Sequence, residues 1–172
     1  MDLFEAIHGR RSIRRFTDQA VSDADVETIL RAAMAAPSAG NQQPWQFVVV
    51  RDRATLDRVK ELNPYAAMAS HAPLGILVCG DLSLESFEGF WVQDCSAAVQ
   101  NLLLAVHALG LGGVWTGIHP MEDRVGGFQA LFGLPRRVVP LALAVIGHPA
   151  RAPRSEDRYR PDRVHAERWQ ER

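Results

Sequence analysis

Four arginines and a serine fall within seven residues near the N-terminus, RRSIRRF at positions 10–16. Each guanidinium presents a planar fork of N–H donors that matches the oxygens of a phosphate or carboxylate, and the serine adds a hydroxyl. Ile13 and Phe16 are apolar anchors suited to holding such a run of charge against the body of a protein. Read alone, the run is either an anion cradle, with Arg10 and Arg14 converging on one anion, or a solvated turn between two helices. The chain has 18 arginines and a single lysine, Lys60, so the signal lies in the clustering and not in any one arginine.

A second suggestive stretch is PSAGNQQPWQF at positions 37–47, where Ser38, Asn41, Gln42 and Gln43 follow in quick order. Amide side chains pair donors and acceptors with the edge of a heteroaromatic ring. Small residues let a flat ligand approach the backbone. The same composition also suits a plain helix-to-strand loop. Other chemistry is weaker. The histidines lack HxxxH or HExxH spacing, so no metal site is expected. The two cysteines, Cys79 and Cys95, form no CxxC pair and suggest neither a disulfide framework nor a zinc site, which makes a reducing cytoplasm the default. The glycines of GLGG (110–113) follow a helix and precede a strand, the reverse of a dinucleotide fingerprint.

The elements that must carry these residues are read from capping and periodicity. A first helix starts at Asp2, with Glu5 completing a capping box, and ends at Gly9. A second is capped by Ser22, stapled by Val21 and Val26, and buries Ile29, Leu30, Ala33 and Met34 before Pro37 stops it. Strands are expected over 45–50, 74–80, 113–118 and 138–147, with helices over 54–62 and 122–132. The firmest helix runs over 90–109, where Val92, Cys95, Val99, Leu102, Val106 and Leu109 share one face. After Gly147 the sequence becomes proline-punctuated and charged, an arm (148–172) that cannot build a core alone and in which Trp169 favours docking on another surface. The elements mix without strict βα alternation, so the fold class is α+β, one layered domain over 1–172. A net charge of −1 argues against a nucleic-acid partner, and the apolar runs are too short to span a membrane.

Taken together and in order, these motifs resemble the flavin-dependent nitroreductase family. RRSIRRF comes first, then PSAGNQQPW after a helix. QDCSAAVQNLLLAVHALGLGGVWTGI is similar to the family's long central helix and ring-contact loop, GLPRRVVPLALAVIGHP to its last core strand, and EDRYRPDRVH to its returning arm. The resemblance covers nearly the whole chain. It implies a central, mostly antiparallel sheet flanked by helices, with the long helix and the arm at a homodimer interface and FMN in the groove between subunits. On that likeness Arg10, Ser12 and Arg14 bind the phosphate, ribityl chain and pyrimidine edge, and Arg11 contributes mainly backbone. Pro37, Ser38, Ala39, Asn41 and Gln43 come from the other subunit to wall the ring. Trp115, Thr116 and Gly117 run past the isoalloxazine, a backbone N–H meeting its N5, and Arg158 closes on the phosphate.

The implied activity is that of a cytoplasmic NAD(P)H-dependent flavin oxidoreductase. NADH or NADPH stacks on the ring and passes hydride to N5, then leaves. A small conjugated acceptor such as a nitroaromatic or quinone takes the electrons from the same face, which gives ping-pong kinetics and requires no catalytic acid or nucleophile from the protein. The alternative is a non-catalytic FMN-binding protein for storage or sensing. Two departures from the family stand out. Many members carry a lysine two positions before the arm's arginine, where this chain has Glu156, with Arg154 nearby as a substitute. The long helical insertion that forms a lid in larger members is absent, which implies a more open site.

Overall fold

The computed structural model describes residues 1–151 and 156–171, so Arg154 lies outside the described residues. Among these residues one sheet is formed by β1 (Trp45–Val50), β2 (Leu74–Asp81), β3 (Gly112–Gly117) and β4 (Val138–Gly147). Their order is β1-β2-β4-β3, and every pair is antiparallel. The helices are α1 (Leu3–Gly9), α2 (Asp23–Met34), α3 (Arg53–Leu62), α4 (Trp91–Ala108) and α5 (Glu122–Phe132). This is the α+β arrangement expected from the sequence.

Strand alternation sends side chains into two separate cores. From β2, Leu74, Ile76 and Val78 join Ala142, Ala144 and Ile146 of β4 beneath α2 and α4. On the other face Leu77, Cys79, Leu143 and Val145 pack with Leu56, Val59 and Phe128 of α3 and α5. Both central strands are buried on both faces and are accordingly continuous apolar runs, LGILVCG and PLALAVIG. Caps fix where the helices begin. Asp2 and Glu5 form a reciprocal capping box on α1, and Ser22 and Asp52 accept from Asp25 N–H and Thr55 N–H.

Some faces expected to be buried are open. Met34 is exposed although its neighbours Ile29 and Ala33 are fully buried, and Leu109 at the end of α4 is exposed as well. On α1 only Ala6 is buried, while Leu3, Phe4 and Ile7 face solvent. The reason is geometric: α1 lies against α4, and among the described residues no further layer covers it. Beside it an apolar groove is lined by Leu3, Ala32, Ala35, Leu104, Ala105 and Ala108. The described arm has only a 3-10 turn at Pro161–Arg163, and Trp169 stacks on His165 with ring centroids 4.3 Å apart instead of docking on the core. No helix among the described residues is long and apolar enough to cross a membrane.

The arginine run lies along the outer edge of β3. Ser12 bridges Gly113 in parallel, and Ile13 N–H donates to Gly113 C=O at 3.0 Å. The start of the arm closes on the same run, with Thr17 N–H on His148 C=O at 2.9 Å and Ala150 N–H on Arg15 C=O at 3.0 Å. Gly112 permits this approach, since a Cβ there would stand 2.8 Å from Ile13 Cβ.

Candidate functional site

At the C-terminal end of α1, Arg10, Arg11 and Arg158 come together around a pocket of about 330 Å³ that Glu156 and Tyr159 also line. Arg11 donates through Nη2 to Glu156 Oε2 at 2.9 Å, and Arg158 Nε reaches the same oxygen at 3.4 Å. Hydrogen bonds from Arg11 and then Arg158 hold the Glu156 carboxyl below the usual range. Burial, followed by repulsion from Arg158 and Arg11, lowers the pKa of Arg10. Beneath them on α4, His107 is also pushed down, by burial first and then by Arg10. Cations held this close favour an anion between them, and one carboxylate oxygen already shares two guanidinium groups. The donor set therefore fits a phosphate, whose oxygens make the same charge-assisted bonds.

Arg14 stands apart from this cluster. It is exposed and lines a smaller pocket with Ser12, Ile13, Arg15 and Arg151. The structure thus divides the basic run in two, with the Arg11 guanidinium taking part in the anion seat.

Farther along β3 the edge is prepared for a different contact. The Gly113 carbonyl points away from β4, toward Ile13. By the two-residue period of a strand, the backbone groups of Trp115 and Gly117 also project from the free edge. Thr116 points inward, its hydroxyl donating to Leu143 C=O at 2.8 Å. The Gly117 carbonyl accepts from Asn63 Nδ2 at 3.1 Å and Arg124 Nη1 at 3.2 Å. Asn63 is buried and fixes this end of the edge, while Trp115 leaves a partly exposed aromatic surface beside it.

The loop 37–43 is held by a separate device. Ser38 Oγ accepts from Gln43 N–H at 3.0 Å, and Gln43 Nε2 donates to Asn41 Oδ1 at 2.8 Å. The buried carboxylate of Asp94, on the first turn of α4, accepts from Ala39 N–H at 2.9 Å and Gln42 Nε2 at 2.7 Å. Gln42 Oε1 in turn accepts from the backbone N–H groups of Ser86 and Phe87 at 2.8 and 3.2 Å. Three residues adopt left-handed backbone, Gly40 (φ 54°), Asn41 (56°) and Gln43 (46°), a conformation costly for residues other than glycine. At Gly40 the approach is also tight, for a Cβ would stand 2.5 Å from the Phe87 ring. Pro37, Ser38 and Ala39 line an open pocket with Phe90, Gln93 and Ala97.

These groups do not meet within one chain. The loop 37–43 is tied to Asp94, whereas Arg10 sits over His107, thirteen residues farther along α4, which is about 20 Å at the rise of an α-helix. One chain therefore carries these two groups of residues toward opposite ends of its central helix. Sequence reasoning passed over Asp94, Asn63 and the pairing role of Glu156. A buried aspartate in an apolar helical stripe was the available signal for Asp94. Nothing local distinguishes Asn63 from a turn residue.

Comparison with known proteins places the sequence and the fold in one family. The sequence model of the Nitroreductase family matches residues 7–70 and 60–148. A protein of Methanothermobacter thermautotrophicus described as an NADH dehydrogenase/NAD(P)H nitroreductase is 52% identical over 169 residues, spanning 98% of this chain and 88% of the relative. Among solved structures, an NADH oxidase from Clostridium acetobutylicum superposes with a TM-score of 0.93 at 38% identity, covering 95% of this chain and 99% of the other. A nitroreductase from Desulfovibrio desulfuricans in complex with FMN superposes with a TM-score of 0.84, also at 38% identity, over 97% of both chains.

Proposed function

The chain belongs to the nitroreductase family, and we propose that it works as an FMN-dependent, NAD(P)H-oxidising enzyme of the cytoplasm that reduces small conjugated acceptors such as nitroaromatics or quinones. The observation that carries the reading is the anion seat of Arg10, Arg11 and Arg158, from which the run continues onto the free edge of β3 at Gly113. A phosphate and an aromatic ring joined by a short polyol match that pair of surfaces. When bound, FMN supplies hydride acceptance at N5 and onward electron transfer from one exposed face, which makes the kinetics ping-pong.

The chain's own residues bind and orient. Arg10, Arg11 and Arg158 hold the phosphate, and Ser12 meets the ribityl chain. Arg14 offers a fixed positive charge to the pyrimidine edge, where such a charge favours electron uptake by the ring. The backbone of Trp115, Thr116 and Gly117 lies along the ring, with Asn63 and Arg124 restraining the Gly117 carbonyl. No side chain is assigned as an acid, base or nucleophile.

The second wall comes from a second copy. Two half-sites about 20 Å apart on one helix become two complete sites in an isologous homodimer, where each end of α4 meets the opposite end of its mate. Pro37, Ser38, Ala39, Asn41 and Gln43 of one protomer then face the arginine run of the other. The exposed apolar side chains Leu3, Phe4, Ile7, Met34 and Leu109 supply surface for that association.

The test is a visible spectrum of the purified protein, followed by anaerobic addition of NADH and then NADPH. Flavin bands that bleach establish the redox enzyme and name its donor. Bands unchanged by both refute turnover and leave a flavin-binding protein, and a colourless protein that takes up no added FMN refutes the site itself.

A further inference from the structure

We propose that Glu156 is a resident counter-anion of the phosphate seat, so that FMN enters by displacing a carboxylate from Arg11 and Arg158. The inference rests on the flavin reading above and concerns the acidic residue that lies among the arginines of the seat. Glu156 reaches from the exposed arm to a guanidinium that is largely enclosed, the side chains being 65% and 14% exposed. Its Oε2 is shared by Arg11 at 2.9 Å and Arg158 at 3.4 Å. A single acceptor oxygen drawing on two guanidinium groups is the arrangement that an incoming phosphate oxygen requires.

The carboxylate and the phosphate therefore compete for the same donors. A phosphate monoester brings about −1.5 to −2 charges and three acceptor oxygens, against one charge and two oxygens for the glutamate, so it takes the seat. The displaced carboxylate remains close, because Glu156 is only two residues from Arg158 on the same arm. FMN consequently binds more weakly than the bare arginines would allow. The seat, in exchange, is never without an anion. Lysine at this position would add a donor; glutamate makes phosphate binding an exchange of one anion for another.

This predicts an effect confined to ligands that carry the phosphate. Full-length protein and its Glu156→Gln variant are titrated with FMN and with riboflavin, following quenching of flavin fluorescence. The variant is expected to bind FMN about fivefold more tightly, the scale of one exposed ion pair, with riboflavin affinity unchanged. In an Arg11→Gln background the gain from Glu156→Gln should shrink to less than about twofold, since the shared donor is gone. Equal FMN affinity in the two proteins overturns the proposal. So does weaker FMN binding by the variant, which would make Glu156 a support that positions the arginines. Equal tightening of riboflavin would also overturn it, by removing the phosphate from the explanation. Failure of the unaltered protein to bind FMN refutes the flavin reading instead, so the two failures are distinct.

Discussion

Replacing Asp94 by asparagine changes almost no volume, yet the hydrogen-bond directions around it make the change costly. Ser86 N–H and Phe87 N–H are fixed donors, and both point at Gln42 Oε1. The Gln42 amide nitrogen must therefore face residue 94, where Ala39 N–H, a third fixed donor, also points. Residue 94 has to accept from two directions through separate oxygens, which a carboxylate does and an amide does not. Asp94→Asn sets an NH2 group against a donor and leaves a part-buried polar atom unpaired, at about 2–3 kcal/mol. For a chain of this size each kcal/mol is worth roughly 2–4 °C, so the midpoint of thermal unfolding should fall by about 4–12 °C. Gln42→Glu alone should cost a similar amount, because two carboxylates would then face each other. Combined, the substitutions restore the pattern. The new carboxylate at position 42 accepts from Ser86, Phe87 and the new amide at position 94, and the oxygen of that amide accepts from Ala39. Thermal unfolding followed by circular dichroism on all four proteins measures the coupling, expected at about 2 kcal/mol or more. A double variant no more stable than the sum of the single losses predicts, or an Asp94→Asn variant within about 0.5 kcal/mol of the parent, would refute the assignment of donor directions.

Three further outcomes are expected. Arg14→Ala should weaken FMN binding and slow its reduction by nicotinamide at least tenfold by stopped-flow absorbance; unchanged flavin content and rate would remove Arg14 from the site. Burial pushes the thiols of Cys79 and Cys95 up to about 12 from an ordinary 9.0. Because the folded values are raised, the protonated thiols stabilise the fold fully below pH 9 and that contribution is lost as pH climbs toward 12. The melting temperature should decline over that window, and a thiol reagent at about pH 8 should label the native protein only after denaturation. Gly112→Ala should lift the arginine run from β3 at about 1–3 kcal/mol of stability and weaken FMN binding in fluorescence titrations, and Ile13→Ala should not restore either, since alanine keeps the Cβ that stands 2.8 Å from the added methyl.

The strands and helices were legible because each signal was local. The β-branched run of β1, the Ser22 cap of α2 and the three-and-four spacing of α4 each describe a segment that folds as its neighbours in sequence dictate. Burial was less legible at the margins. Met34 and Leu109 continue apolar stripes, yet they lie where one protomer has no further layer, and a stripe records only that some surface will cover it. The candidate site was legible as motifs but not as geometry. RRSIRRF reads as one cluster, while the backbone of an extended run sends Arg11 toward the arm and Arg14 to another pocket. Asp94 and Glu156 act through groups 55 and 145 positions away, a pairing that depends on tertiary structure.

The separation of the two half-sites along α4 has a consequence in mixed populations. In the homodimer proposed above, a chain damaged in the arginine run and a chain damaged in the loop 37–43 would each be inactive as a pure dimer. If the two exchange freely, half of the dimers are mixed. In each mixed dimer one site collects both lesions, while the other receives an intact run from one chain and an intact loop from its mate. About a quarter of the sites return. Two null alleles would then complement each other inside one cell, and a single damaged allele beside a normal one would silence about half of the sites, with none repaired by excess cofactor.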